Sequence, residues 1–176
     1  MLDNIYYFCL VVFDLIISAP EGCVFLDINI SSFDCTGVPG VEDWEKFIPA
    51  RQSDGAAAFD LKACRVLDPK TREVCGTFPY TIPPGGFALF GTGVIIAIPP
   101  GVAGHVLPRS GLATRDHITL ANSPGEVDSD YRGEIGCSMH NEGTEPFTIE
   151  RGYRIAQLEF GKVLTPVFHR VESVDK

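Results

Sequence analysis

The sequence lacks the cysteine and histidine spacing of a metal site. None of its six cysteines forms a C-x-x-C pair, and its four histidines are scattered along the chain, so a zinc site is not indicated. Scattered cysteines favour free thiols, although the sequence leaves a disulfide between two of them open. We therefore expect a reducing compartment, that is, a cytoplasmic, nuclear or organellar protein that is not secreted.

Positive charge and long apolar segments are also scarce. Lys and Arg number 14 against 23 acidic residues, and the net charge of −9 argues against polymeric nucleic acid as a partner, because such binding depends on neutralising phosphates. A single arginine site for a small phosphorylated ligand remains compatible with this charge. The most apolar run, residues 5–17, is shorter than the about 20 residues of a membrane span. It contains Asp14 and follows no basic segment, so we expect neither a membrane helix nor a signal peptide.

Glycine and proline, in contrast, are abundant. The 18 Gly and 13 Pro punctuate short apolar runs, a pattern that favours many short strands over long helices. We predict an all-β sandwich or barrel in residues 45–176, and residues 1–44 form an extension to which no function can be assigned. A brief helical turn after Pro108, capped by Ser110, is the one helix that the pattern predicts. The predicted strands fall within 56–66, 87–98, 104–108, 118–122, 133–141, 147–152 and 154–163.

The run DSDYRGE at 128–134 combines two carboxylates, an aromatic ring and an arginine on a tight turn. Asp128 follows Val127 after a Gly- and Pro-containing loop, which places it where a strand begins. A carboxylate held there beside an aromatic residue is a candidate general base. An ordinary acidic turn remains the alternative for this run taken alone.

A second segment, PRSGLA at 108–113, is suited to binding an anion. If a short helix begins there, its free N–H groups, the Ser110 hydroxyl and the Arg109 guanidinium converge on one point, and Gly111 permits close approach of the backbone. A helix cap with a surface arginine is the equally weighted alternative.

Three polar residues lie within predicted strands. Arg154 and Gln157 are three apart in RIAQL, so on a regular strand they point to opposite faces. Gln157 needs hydrogen-bond partners, either in a neighbouring loop or on a phosphate oxygen. Asp60, between Phe59 and Leu61, is expected to be a structural acceptor for amides or an arginine, with water or metal orientation as the alternative.

Four segments in order, DGAAAFDL, PRSGLA, NSPGEVDSDYRGE and GYRIAQL, resemble motifs one to four of the trimeric dUTP pyrophosphatases (dUTPases). The resemblance covers roughly residues 48–176. It implies a jelly-roll-like β fold and a homotrimer with sites at subunit interfaces. It also implies hydrolysis of dUTP to dUMP and pyrophosphate with Mg²⁺, which keeps uracil out of DNA and supplies dUMP for thymidylate synthesis.

The resemblance implies a role for each matching residue. Asp128 would deprotonate the water that attacks the α-phosphorus. Arg109, Ser110, Gly111 and Gln157 would hold phosphate, and Mg²⁺ would be bound by the triphosphate rather than directly by protein ligands. Tyr131 would stack on the deoxyribose and leave no room for a 2′-hydroxyl. The uracil pocket would be formed by one amide side chain, the hairpin backbone and the returning strand: Asn122, Gly125, Glu126, Val127 and Gly136.

The sequence departs from the family pattern at several positions. Ala58 replaces a glycine, Glu126 an uncharged residue, and Tyr153 the usual Asp of a G-D-R turn. The sequence ends at ESVDK, where the family continues into a Gly-rich arm that closes over the nucleotide.

Two other functions remain open at this stage. The dCTP deaminases resemble this fold, but they carry R-S-S-x-x-R where this chain reads Arg109 to Thr114. They also place a catalytic glutamate on the strand after the hairpin, where this chain reads GCSM at 136–139. A nucleotide-binding homologue with weak or no turnover is the second alternative.

Overall fold

A computed structural model of the chain describes residues 29–32 and 44–174, with only the backbone of 29–32 and Trp44. The apolar run 5–17 therefore lies outside the described residues, as do most of the extension 1–44 and Cys9, Cys23 and Cys35. Cys64, Cys75 and Cys137 are free thiols, as predicted. The division of the chain at residue 45 stays a prediction.

The described residues are almost entirely β-strand and turn, which confirms the all-β prediction. A 3₁₀ turn at Trp44–Phe47 and a π-helical turn at Leu112–Asp116 accompany the strands. The strands are β1 (Asn29–Ser32), β2 (Phe59–Lys62), β3 (Arg65–Leu67), β4 (Val74–Gly76), β5 (Tyr80–Ile82), β6 (Phe87–Gly91), β7 (Val94–Ala97), β8 (Val102–Pro108), β9 (Ile118–Leu120), β10 (Gly125–Val127), β11 (Gly136–Asn141), β12 (Phe147–Ile149) and β13 (Arg154–Lys162). In this part of the chain, no helix has the length and apolar character needed to cross a bilayer.

Within residues 29–32 and 44–174, the strands form two larger sheets and two strand pairs. One sheet has the order β10-β8-β13-β2, the other the order β4-β3-β6-β11-β9, and the pairs are β1-β7 and β12-β5. The pairing is antiparallel, which lets short turns join the strands and leaves one face of a sheet open to solvent. The prediction missed β4 and β5 because their short runs lie among Gly and Pro residues.

Alternating burial along the strands builds the core. On β11, Cys137, Met139 and Asn141 are buried, whereas the residues between them face outward. The buried side chains of both sheets form one apolar cluster, in which Phe90 and Leu61 are among the largest. Val106 of β8 belongs to this cluster, and Arg109 follows the carboxyl end of the strand.

Candidate active site

Asp60 on β2 is the anchor of a polar cluster at the carboxyl end of β8. It is buried, with 7% exposure, and its carboxylate oxygens bind two arginines. Arg154 Nη1 donates to Oδ2 at 2.9 Å, and Arg109 Nε lies 3.6 Å from Oδ1. One buried carboxylate therefore orients two guanidinium groups, and a net positive charge remains for an anion.

Arg109 stands between β8 and a short helical turn. Its carbonyl accepts the Ala113 N–H at 3.0 Å, and its Nη1 donates to the Arg154 carbonyl at 2.6 Å. The helical turn was predicted correctly, but the predicted capping by Ser110 is wrong. The chain is already helical at Ser110, so this residue lies inside the turn, and no side-chain hydrogen bond caps Gly111 before the π-helical segment. Ser110 and Gly111 are both exposed.

Arg154 and Gln157 lie on the same face of β13, so the prediction of opposite faces is wrong. A register shift between Arg154 and Ala156 makes Ile155 and Ala156 both buried, and this irregularity adds one residue to the alternation. Gln157 Nε2 donates to the Pro108 carbonyl at 2.9 Å, which ties β13 to the backbone directly before Arg109. Both residues therefore support the same cluster.

A polar cavity of about 410 Å³ opens beside this cluster. Arg115 is a third guanidinium on its wall; it pairs with Asp116 at 2.7 Å, and this contact lowers the pKa of Asp116. Three arginines around one cavity favour a polyanionic ligand. The lining residues are Arg109, Gly111, Leu112, Arg115, Gly152, Tyr153 and Arg154.

The hairpin segment runs antiparallel to β8, towards the amino end of that strand. Strand β10 pairs with β8, with Gly125 opposite Val106 and Val127 opposite Gly104. Asp128 therefore follows the end of a strand, and the prediction that a strand begins there is wrong. The turn at residues 122–124 starts the short strand earlier, at Gly125.

The side chains on and beside β10 differ in their exposure. Val127 is buried, whereas Glu126 points outward with Oε2 at 3.4 Å from His105 Nε2. Asn122 is exposed, and its Nδ2 is 3.1 Å from the point where a side chain on Gly125 would begin. The missing side chain of Gly125 thus lets the Asn122 amide approach the backbone of the strand.

The loop after β10 is closed by bonds of its own. The Tyr131 N–H donates to the Asp128 carbonyl at 3.1 Å, and the Tyr131 phenol donates to the Glu134 carbonyl at 2.8 Å. The phenol passes directly over Gly133, where an added Cβ would lie 2.5 Å from the oxygen. Asp128 itself is exposed, and no hydrogen bond or ion pair reaches its carboxylate from the part of the chain that is described.

Asp128 and Arg109 lie far apart within one chain. Asp128 is one residue beyond the pair Val127–Gly104, level with Ala103, whereas Arg109 follows the opposite end of β8. Six strand residues separate these levels, or roughly 20 Å at 3.3 Å per residue. The residues that the sequence predicted for phosphate lie together around the carboxyl end of β8, whereas the candidate base Asp128 lies towards its amino end. Of the predicted pocket residues, Gly125 to Val127 pair with β8, but Gly136 lies in the other sheet, opposite Gly91.

Sequence reasoning missed some residues at both sites. Arg115 and Tyr153 line the cavity, and Glu134 is a buried carboxylate paired with Arg65 at 2.9 Å. Glu134 carried a signal, since it lies between Gly133 and the apolar Ile135 within the quoted motif. Among the described residues, no group of three or more His, Cys, Asp or Glu side chains could hold a metal ion.

Comparison with known proteins places these residues in a family context. Residues 45–176 match the family model described as dUTPase. The deoxyuridine 5′-triphosphate nucleotidohydrolase of Rhizobium etli (strain CIAT 652) is 51% identical over 120 residues, which cover 68% of this chain and 69% of that protein. The enzyme of the same name from Anaeromyxobacter sp. (strain Fw109-5) is 43% identical over 127 residues, 72% of this chain and 78% of its own length.

A solved structure agrees with these sequence matches. The dUTPase from Streptococcus mutans superposes with a TM-score of 0.59 at 26% identity, and the match covers 70% of this chain and 91% of that one. The fold described above is therefore similar to that of a solved dUTPase.

Proposed function

The chain belongs to the dUTPase family, and on that basis we propose that it hydrolyses dUTP to dUMP and pyrophosphate. The observation that carries the proposal is that two ordered groups of polar residues lie at opposite ends of β8. A cavity walled by three arginines lies at one end of β8, and an exposed carboxylate beside an ordered tyrosine lies at the other.

The triphosphate is assigned to the arginine end. The Arg109 guanidinium, the exposed Ser110 hydroxyl and the backbone of Gly111 would bind phosphate oxygens together with Gln157. Gln157 now donates to the Pro108 carbonyl, so its amide retains a free oxygen and a second N–H. Asp60 and Arg154 act indirectly, because they hold the Arg109 side chain in place.

The nucleoside is assigned to the hairpin end. Asn122 and the backbone of Gly125 to Val127 would read the uracil edge, and Gly136 would leave room for the ring. Cytosine reverses the donor and acceptor at position 4, so fixed backbone groups would be left unpaired. The Tyr131 ring would stack on the deoxyribose, and its bond to the Glu134 carbonyl limits the space available to a 2′-hydroxyl.

Asp128 is assigned the role of general base. Its carboxylate would accept a proton from water while the water oxygen forms a bond to the α-phosphorus and the bond to the pyrophosphate oxygen breaks. Mg²⁺ is the cofactor that the family implies, and on the triphosphate oxygens it would neutralise charge and fix the conformation of the chain.

A homotrimer is part of the proposal, because one chain holds Arg109 and Asp128 roughly 20 Å apart along β8. A complete site requires the arginine end of one copy to face the hairpin end of another. Closed cyclic symmetry would then form equivalent sites between neighbouring copies.

Release of pyrophosphate from dUTP in the presence of Mg²⁺ tests the proposed function. We expect turnover by the wild-type chain and loss of about a thousandfold or more in Asp128→Asn, which keeps the shape of the side chain but cannot accept the proton. Because Asp128 is exposed, thermal stability should not change. Tight dUTP binding without turnover would contradict the enzymatic proposal, and ammonia release from dCTP would support a deaminase instead.

A further inference from the structure

Glu134 connects the hairpin loop to the body of the protein. Its Oε1 is 2.9 Å from Arg65 Nη2 and accepts the Gly93 N–H at 2.6 Å. Both charged side chains are buried, with 6% and 7% exposure. The carboxylate lies so close to Gly91 that an added Cβ there would approach Oε1 to 2.5 Å. These contacts fix the backbone of residue 134.

The carbonyl oxygen of Glu134 accepts two hydrogen bonds. One comes from the Tyr131 phenol at 2.8 Å, and the other from Arg72 Nη2 at 3.1 Å. Arg72 lies between the first and second of the four motifs and belongs to neither. Its Nη2 is also 3.0 Å from the point where a side chain on Gly136 would begin, so the guanidinium covers the strand that follows the hairpin.

Hydrogen bonds within the turn between β3 and β4 hold the backbone of Arg72 in place. The Asp68 carboxylate accepts the N–H groups of Lys70 and Thr71 at 2.8 Å, and the Arg72 N–H donates to the Asp68 carbonyl at 2.8 Å. The two bonds to its carboxylate lower the pKa of Asp68, so the turn is held at neutral pH. Arg72 adopts a φ of 60°, an uncommon conformation for a residue with a side chain.

We propose that Arg72 is a positioning residue for the nucleoside end of the site, acting through the Glu134 carbonyl on Tyr131. This inference rests on the proposed function. A carbonyl oxygen has two lone pairs, and here both are used, one of them by a charged donor. Since the Tyr131 N–H in turn binds the Asp128 carbonyl, loosening Glu134 loosens both the sugar-stacking ring and the backbone of the general base.

Three variants isolate this effect. Arg72→Met removes the donor and keeps an unbranched side chain, Arg72→Lys restores a donor and charge, and Lys70→Met is the matched control. Lys70 is exposed on the same turn, and only its backbone takes part in the turn's hydrogen bonds. Two quantities are measured: amide hydrogen exchange in residues 128–135 without ligand, and KM, kcat and the preference for dUTP over UTP.

In Arg72→Met we expect exchange of the Tyr131 amide and KM for dUTP to rise by about fivefold each, the effect of losing one hydrogen bond. The preference for dUTP over UTP should fall with them. Arg72→Lys should recover part of each change, and Lys70→Met should match the wild type. Unchanged exchange in Arg72→Met would overturn the proposal. This holds even if KM rises, because Arg72 would then affect nucleotide binding by a route other than the order of the loop.

The two proposals fail in different ways. If the wild-type chain does not hydrolyse dUTP, the proposed function fails, and exchange of the Tyr131 amide in the three variants still decides whether Arg72 orders the loop. If the wild-type chain is active and exchange does not respond, only the role of Arg72 fails.

Discussion

The two ends of β8 organise their polar groups by different means. At the carboxyl end, arginines from β13 and from the segment after β8 bind the buried Asp60 of β2, and Gln157 of β13 binds the Pro108 carbonyl. At the amino end, the loop 128–134 is ordered by hydrogen bonds to its own carbonyls, and Asp128 stays exposed. A cluster of side chains suits a ligand of high charge, whereas an open carboxylate suits a group that must reach water.

This difference indicates that the arginine half of the proposed site is already assembled within one chain. The arginines have their counter-ion and their orientation before any ligand arrives, so the proposed binding of phosphate needs little rearrangement. Asp128 has no partner from the described residues, and in the proposed mechanism it acts only when a phosphorus atom is brought to it. The following changes test the two halves separately, in order of decreasing effect on turnover.

Asp60→Ala should have the largest effect. It removes the shared counter-ion of Arg109 and Arg154, so we expect kcat/KM for dUTP to fall by about a hundredfold and the free energy of unfolding to fall by about 2 kcal/mol. Both arginines are partly exposed, which limits the loss of stability. Steady-state kinetics and urea unfolding measure these quantities. Asp54→Ala, at an exposed aspartate in the preceding turn, is the control, and an equal loss in that variant would contradict the role of Asp60.

Gly133→Ala should have a smaller effect, confined to the nucleoside half. The new Cβ would lie 2.5 Å from the Tyr131 oxygen, so the ring must leave its bond to Glu134. We expect KM for dUTP to rise about tenfold, with kcat affected less. Gly55→Ala is the control because nothing lies within 4 Å of its added Cβ. Normal kinetics in Gly133→Ala would mean that the position of the Tyr131 ring does not matter.

Thiol chemistry should have the smallest effect on turnover. Burial raises the pKa of the Cys137 thiol to about 12, whereas Cys75 is exposed. At pH 8, alkylation of Cys137 should be on the order of a thousandfold slower than that of Cys75, because only thiolates react. Peptide mass spectrometry measures both rates. Modification of Cys75 should leave dUTP turnover intact, and rapid labelling of Cys137 in the folded protein would contradict its burial.

Ionisation of the same thiol also predicts how the free energy of unfolding changes with pH. In the folded state Cys137 stays protonated, while an unfolded thiol ionises near pH 8.5. Its stabilising contribution is therefore complete below about pH 8.5 and declines as pH rises towards 12. Cys137→Ala should show a shallower decline than the wild type in urea unfolding at alkaline pH. Parallel slopes for the two proteins would contradict the raised pKa.

The sequence predicted the fold class, because a strand-rich fold depends on local patterns, and it predicted that Arg109, Ser110, Gly111 and Gln157 lie together. Short apolar runs between Gly and Pro predicted the strands, and four ordered motifs predicted which polar residues belong to the site. The irregularity at Arg154 was not predictable, since a one-residue shift in register depends on the neighbouring strand β2. The role of Arg72 was also hidden, because its contact with Glu134 joins residues 62 apart in the sequence.

Mixing two inactive variants tests most directly whether the two halves of the site come from different copies. Arg109→Ala and Asp128→Asn, each inactive alone, are unfolded together in equal amounts and refolded, and dUTP turnover is measured. If each site takes Arg109 from one copy and Asp128 from another, random assembly restores about a quarter of the wild-type activity. A double variant, Arg109→Ala with Asp128→Asn, refolded with either single variant, should restore none. No activity in the mixture of the two single variants, despite folded mixed oligomers, would contradict the account.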